Sequence, residues 1–161
     1  MSAISDPTAP VFFDRGAFSN FHPSPIVLPC PYTGEARTFA TTEHYFQAAK
    51  VAPHFVAAGD PAGYVAVALA ASPGLCKRLA RRVPLADAEL RRWNNGRSFA
   101  SMVVACGAKF AQHPDLAEQL LGTGSRPLTE HRPDPIWGDN LDGTGRNLLG
   151  LVLMVVRDGL R

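Results

Sequence analysis

Apolar positions along this chain change their spacing near residue 40. From Val11 to Phe39 they fall in short clusters, VFF at 11–13, PIVLP at 25–29 and RTF at 37–39, separated by Gly, Pro, Asn and Asp. That punctuation predicts short strands and turns, with PYTGEA at 31–36 as the turn between two strands. After Thr41 the spacing becomes helical. Thr41 or Thr42 can cap a helix through EHYFQAAKV, residues 43–51, which Pro53 is expected to end. Pro61 opens a second helix, PAGYVAVALAA, and Ser72-Pro73 supplies the cap and first turn of a third, GLCKRLARRV. A fourth starts near Leu85, weakens at Asn94-Asn95-Gly96 and resumes to about Gln112, where Phe99, Met102, Val103, Cys106 and Phe110 keep one apolar face. A short helix follows at Asp115–Leu121. Residues 122–147, rich in Gly, Pro, Asp and Asn, predict a long loop around one short strand at PLTEH. The last helix, Asn147 to about Arg157, is apolar nearly all round and is expected to be buried.

These elements predict an α+β fold: one predominantly helical domain over 11–161, with a few short strands near the N-terminus and residues 1–10 as a flexible tail. A chain of 161 residues can bury a core without covalent staples. The net charge of +2 removes the broad positive field expected of a duplex-DNA binder, so any nucleic-acid contact has to be local. Cys30, Cys76 and Cys106 lie far apart with no metal-ligand spacing, so neither a disulfide framework nor a metal site is expected. The longest apolar run, Leu148–Val156, falls well short of the ~20 residues that span a bilayer. With no leader pattern at its start, the chain is expected to be cytoplasmic, with no membrane partner.

Four stretches carry candidate chemistry. In TTEHYFQAAK, residues 41–50, Glu43 and Lys50 are two helical turns apart with Gln47 between them on the same face. A carboxyl and an amine aimed at one cavity supply a proton carrier and a nucleophile, although the helix dipole alone would also favour both positions. The chain holds thirteen arginines and three lysines, and only a lysine can shed its proton and attack carbon. In DPIWGDNLDGTGRN, residues 134–147, Trp137 lies among Asp134, Asp139 and Asp142. It suits a stacked ring held at its polar edge, or else an Asx-turn loop with Trp137 as its anchor. Asn20, in FSNFHPSP, can hold a ribose hydroxyl or cap its own backbone. The basic run KRLARR with RRW can meet a phosphate or form a solvated face. Phosphate-binding, dinucleotide, serine-hydrolase and zincin motifs are absent.

Taken together, FSNF (18–21), TTEHYFQAAK (41–50), RRW (91–93), Met102 to Phe110, LLGTG (120–124), Leu128 to Glu130, IWGD (136–139) and GRNLLGLVLMVVR (145–157) resemble the NADAR, or YbiA-like, family. The resemblance implies N-glycosidase activity on a ribose joined to an exocyclic amine of a guanine-like ring. The substrate would be ADP-ribosylated guanine in nucleic acid or a phosphoribosylamino-pyrimidine intermediate of riboflavin synthesis. It places Glu43, Lys50 and Asp139 as catalytic residues. Substrate contacts are expected from Ser19, Asn20, His44, Gln47, Arg81, Trp93, Lys109, Trp137, Gly138 and Asn147, with no metal and no cofactor. Lys50 would attack the ring-opened imine with Glu43 shuttling protons; otherwise Glu43 and Asp139 would act as an acid–base pair. A non-catalytic reader of ADP-ribose or nucleotide is the competing reading.

Overall fold

The computed structural model describes residues 6–161, so part of the expected tail lies outside the described residues. Helix α1 (Thr42–Ala58) is central because both of its faces are apolar. Phe46 and Ala49 join one core with Trp93, Met102, Phe110, Leu149 and Leu153. Ala48, Val51, Ala52 and Phe55 join a second with Ile26, Phe39, Tyr64 and Ala80. The first core is closed by strands β1 (Val11–Phe13) and β4 (Leu128–Glu130) and helices α5 (Ser98–Gln112), α6 (Pro114–Leu121) and α7 (Leu148–Gly159). The second is closed by the hairpin β2 (Ile26–Pro29) and β3 (Ala36–Phe39) with α2 (Pro61–Ala68) and α3 (Pro73–Arg81). The hairpin turn falls where PYTGEA predicts it, with β2 and β3 antiparallel. Strand β1 pairs in parallel with β4, matching Phe13 to Glu130. The α+β, mainly helical class holds.

Pro53 does not end α1, contrary to the sequence expectation; the helix runs five residues further and closes on left-handed Gly59. Proline removes the N–H that would bond the carbonyl of residue 49. Here that carbonyl accepts instead from Arg97 Nη2 at 3.2 Å, so nothing is left unpaired. Arg97 follows a kink at Asn95 and Gly96 (φ 111°), the weak point expected between α4 (Asp87–Arg92) and α5. A second correction concerns α7, whose Leu151 and Val155 stay exposed; its apolar character does not mean burial all round. Among the described residues no helix is long and apolar enough to cross a membrane.

Candidate active site

A cleft of about 470 Å³ opens where α1, α3, the end of α4 and the chain after β4 converge. Its floor is the α1 stripe Glu43, Phe46, Gln47 and Lys50, projected together by helical periodicity. Lys77 and Arg81, one turn apart on α3, line one side. Trp93 and Trp137 form an aromatic wall, each packed on Phe46 with ring centroids 4.8 and 5.2 Å away. Glu130, Arg132 and Asp134 complete the far side.

Glu43 is buried, and its carboxylate accepts from Gln47 Nε2 at 2.7 Å and from Asn20 Nδ2. Burial pushes its pKa up, opposed by the Gln47 bond, the Lys77 charge, the Asn20 bond and Lys50. Lys50, half-buried, is pushed the other way: burial first, then the Arg81 cation, lower its pKa against the pull of Glu43. Glu130 is a second carboxyl in the cleft, raised to about 7 chiefly by burial. An amine readier to lose its proton thus shares one cleft with two acids readier to keep theirs. Such opposed shifts suit proton transfer and nucleophilic attack. Gln47 lines the cleft, and its Oε1 is buried without a hydrogen-bond partner among the described residues.

Glu130 owes its place to Asn147. Asn147 Oδ1 accepts from the Glu130 N–H at 3.0 Å, and Nδ2 donates to the Leu128 carbonyl at 2.8 Å, so one amide bridges two residues of β4. Asn147 does this from left-handed backbone (φ 51°), which asparagine tolerates better than most residues. Gly150 allows the approach of α7, since a Cβ there would lie 2.1 Å from the Leu128 carbonyl oxygen. Trp137 is set by Asp134, whose Oδ1 accepts from the N–H groups of Ile136 and Trp137, each at 2.9 Å.

The NADAR domain family model matches residues 11–161. The chain belongs to the NADAR family. Among NADAR relatives it is 35% identical over 150 residues to the N-glycosidase YbiA of Escherichia coli, covering 91% of this chain and 82% of that one. It is 37% identical over 148 residues to an N-glycosidase of Nostoc punctiforme, covering 91% and 86%. A chloroplastic riboflavin biosynthesis protein of Zea mays is 36% identical over 88% of this chain, which spans 23% of the maize protein's length. The solution structure of E. coli YbiA superposes with a TM-score of 0.70 at 32% identity, over 94% of this chain and 84% of that one.

Within this NADAR domain the cleft gathers Asn20, Glu43, Gln47, Lys50, Arg81, Trp93 and Trp137 of the residues picked from sequence. The others lie outside it. Asp139 does not line the cleft: its carboxylate accepts from His131 Nδ1 at 2.8 Å and the Leu141 N–H at 2.9 Å, which ties down the loop. His44 is buried between Thr41 Oγ1 (2.8 Å) and the Ala70 carbonyl (3.0 Å), joining α1 to the chain after α2. Gly138 makes room for backbone, since a Cβ there would meet the Glu130 and Arg132 carbonyls at 3.0 and 3.1 Å. Ser19, Lys109 and Asn147 support other residues rather than line the cleft. Sequence reasoning missed Glu130 and Arg132, and held Lys77 only as part of the basic run KRLARR. Lys77 was legible as the residue one turn before Arg81; Glu130 stood in a matched motif with no role attached. Among the described residues no three His, Cys, Asp or Glu side chains group as they would around a metal ion.

Proposed function

We propose that this N-glycosidase-class enzyme cuts the bond between C1 of a ribose and the exocyclic amine of a guanine-like ring, in a substrate that carries phosphate on the sugar. The observation that carries the reading is the α1 stripe itself: buried Glu43 with a raised pKa and Lys50 with a lowered one, in a single cleft. Trp93 and Trp137 suit a planar base, Gln47 Oε1 suits a ring N–H, and Lys77, Arg81 and Arg132 suit phosphate. Two substrate classes share that chemistry: ADP-ribose on guanine in nucleic acid, and phosphoribosylamino-pyrimidines of riboflavin synthesis. Relatives in Zea mays and Vibrio vulnificus are named riboflavin biosynthesis proteins, which favours including the second.

In the mechanism proposed, an acid protonates the ribose ring oxygen and the C1–O bond breaks, leaving a C1 iminium to the base amine. Neutral Lys50 adds to C1, and the C1–N bond to the base breaks as the leaving amine takes a proton. Water then adds to the lysine Schiff base and releases the sugar aldehyde and free Lys50. The net reaction consumes one water. Glu43 carries the protons. A second reading uses Glu43 and Glu130 as an acid–base pair on an oxocarbenium-like transition state, favoured by Glu130 being held near pH 7 in the same cleft. A trapping experiment decides between them. The purified protein is given each substrate class with borohydride present, and product and protein masses are read. A sugar-sized mass gain mapping to the peptide holding Lys50 supports the lysine route. Turnover with no trapped adduct supports the carboxyl pair, and no turnover of either substrate overturns the reading.

A further inference from the structure

Lys109 is a buried cation that the cleft does not contain, at 1% exposure on α5. Burying an ammonium is costly, and an apolar side chain of similar volume would fill the same space without that cost. Burial indeed lowers its pKa to about 8. Its ammonium nitrogen donates to the Ser19 carbonyl at 2.9 Å. That carbonyl belongs to the peptide plane leading into Asn20. From there the bonds run straight to the candidate acid. The Asn20 carbonyl accepts from the Glu43 N–H at 3.1 Å and from Thr42 Oγ1 at 3.0 Å, while Asn20 Nδ2 donates to the Glu43 carboxylate. The turn is further held by Ser19 Oγ, which accepts from the Phe21 N–H at 3.1 Å.

We propose that Lys109 is a positioning residue, fixing the Ser19–Asn20 turn from α5 so that Asn20 holds the Glu43 carboxyl in place and tunes its proton affinity. The inference rests on the role given to Glu43 above. The other titratable or charged groups acting on Glu43 are Lys50 on its own helix, Lys77 and Cys76 on α3, and Glu130 on β4. None of them is bonded to the Ser19–Asn20 turn. Lys109 therefore reaches the carboxyl by a route separate from theirs.

The test uses Lys109→Met, Asn20→Ala and the double variant in the full chain. The Glu43 carboxyl is titrated by carbon NMR, with its signal assigned through Glu43→Gln, and kcat and KM are measured against pH on a phosphoribosylamino-pyrimidine. Asn20→Ala removes a donor that favours the ionised acid, so the Glu43 midpoint should rise by about half a pH unit. Lys109→Met should raise it similarly, keep its melting temperature, lower kcat about tenfold and leave KM within twofold. The double variant should match Asn20→Ala alone. The proposal fails if Lys109→Met leaves the Glu43 midpoint and kcat unchanged, if the two effects add in full, or if KM alone rises. Should Lys109→Met not fold, an unmoved midpoint in Asn20→Ala still overturns it. A wild type inactive on both substrate classes overturns the functional reading, while the carboxyl titration still decides the role of Lys109.

Discussion

Glu130 holds its proton more tightly in the folded chain than a free glutamate does, with its pKa lifted from 4.5 to about 7. Between those values the native state binds more protons than the unfolded one, so stability falls as pH climbs from about 4.5 to 7 and levels off above. Glu130→Gln should therefore match the wild type in stability near pH 4.5 and exceed it by about 1–3 kcal/mol at pH 8. Urea unfolding at the two pH values checks this; equal differences at both would show that the carboxyl is not strained by burial. At the same scale, Lys50→Arg keeps a cation but removes the proposed nucleophile, and turnover should fall by several orders of magnitude with the fold intact. Single-turnover rates measure it, and near-normal rates would leave the carboxyl pair to carry the reaction. Glu43, Gln47 and Lys50 were legible because a helix imposes its period on neighbours in sequence. Asp139 falls outside the cleft for the opposite reason. It sits two residues from Trp137, but Asn140 and Leu141 take left-handed backbone and its carboxylate ends on His131.

Between elements, the signals that sequence could not show are the ones carried by distant partners. Pro53 reads as a helix stop, and only Arg97, forty-four positions on, makes its continuation tolerable by bonding the Ala49 carbonyl. Arg97→Ala should leave that carbonyl short of a donor and cost about 1–3 kcal/mol. Adding Pro53→Ala restores an N–H for it and should recover part of the loss, which thermal melts of both variants would show. Glu130 is a comparable case: three residues of strand fix it only through parallel pairing with β1 and the Asn147 clamp. Trp137 sits half-buried on a loop set by Asp134 and packs edge-on against Phe46. Trp137→Ala should weaken substrate binding by about 1–3 kcal/mol and largely spare the fold. Circular dichroism beside a binding titration separates the two effects, and global unfolding would make Trp137 a structural anchor instead.

For the whole molecule, the hydrophobic periodicity specified the mainly helical class and most helix starts, but not which faces would meet. The net charge of +2, with Lys77, Arg81 and Arg132 as the cleft cations that suit phosphate, bounds how a nucleic-acid substrate would be held. About two or three phosphates can be neutralised, so log affinity against log salt should have a shallow slope of about −2 for a single strand. Affinities measured across a salt series test this, and a steep slope would reveal basic surface beyond the cleft.

The parallel pairing of β1 with β4 also sets a schedule for synthesis. The nucleophile candidate at position 50 leaves the ribosome early, within a helix able to fold locally. Glu130 is fixed in the cleft by pairing with β1, by an asparagine at 147 and by a close helix approach at 150. A nascent chain released or stalled before that point would hold Glu43, Lys50 and Glu130 but no closed cleft. Catalytic competence would therefore arrive all at once, with the emergence of the final helix, and partial products of translation would stay chemically silent.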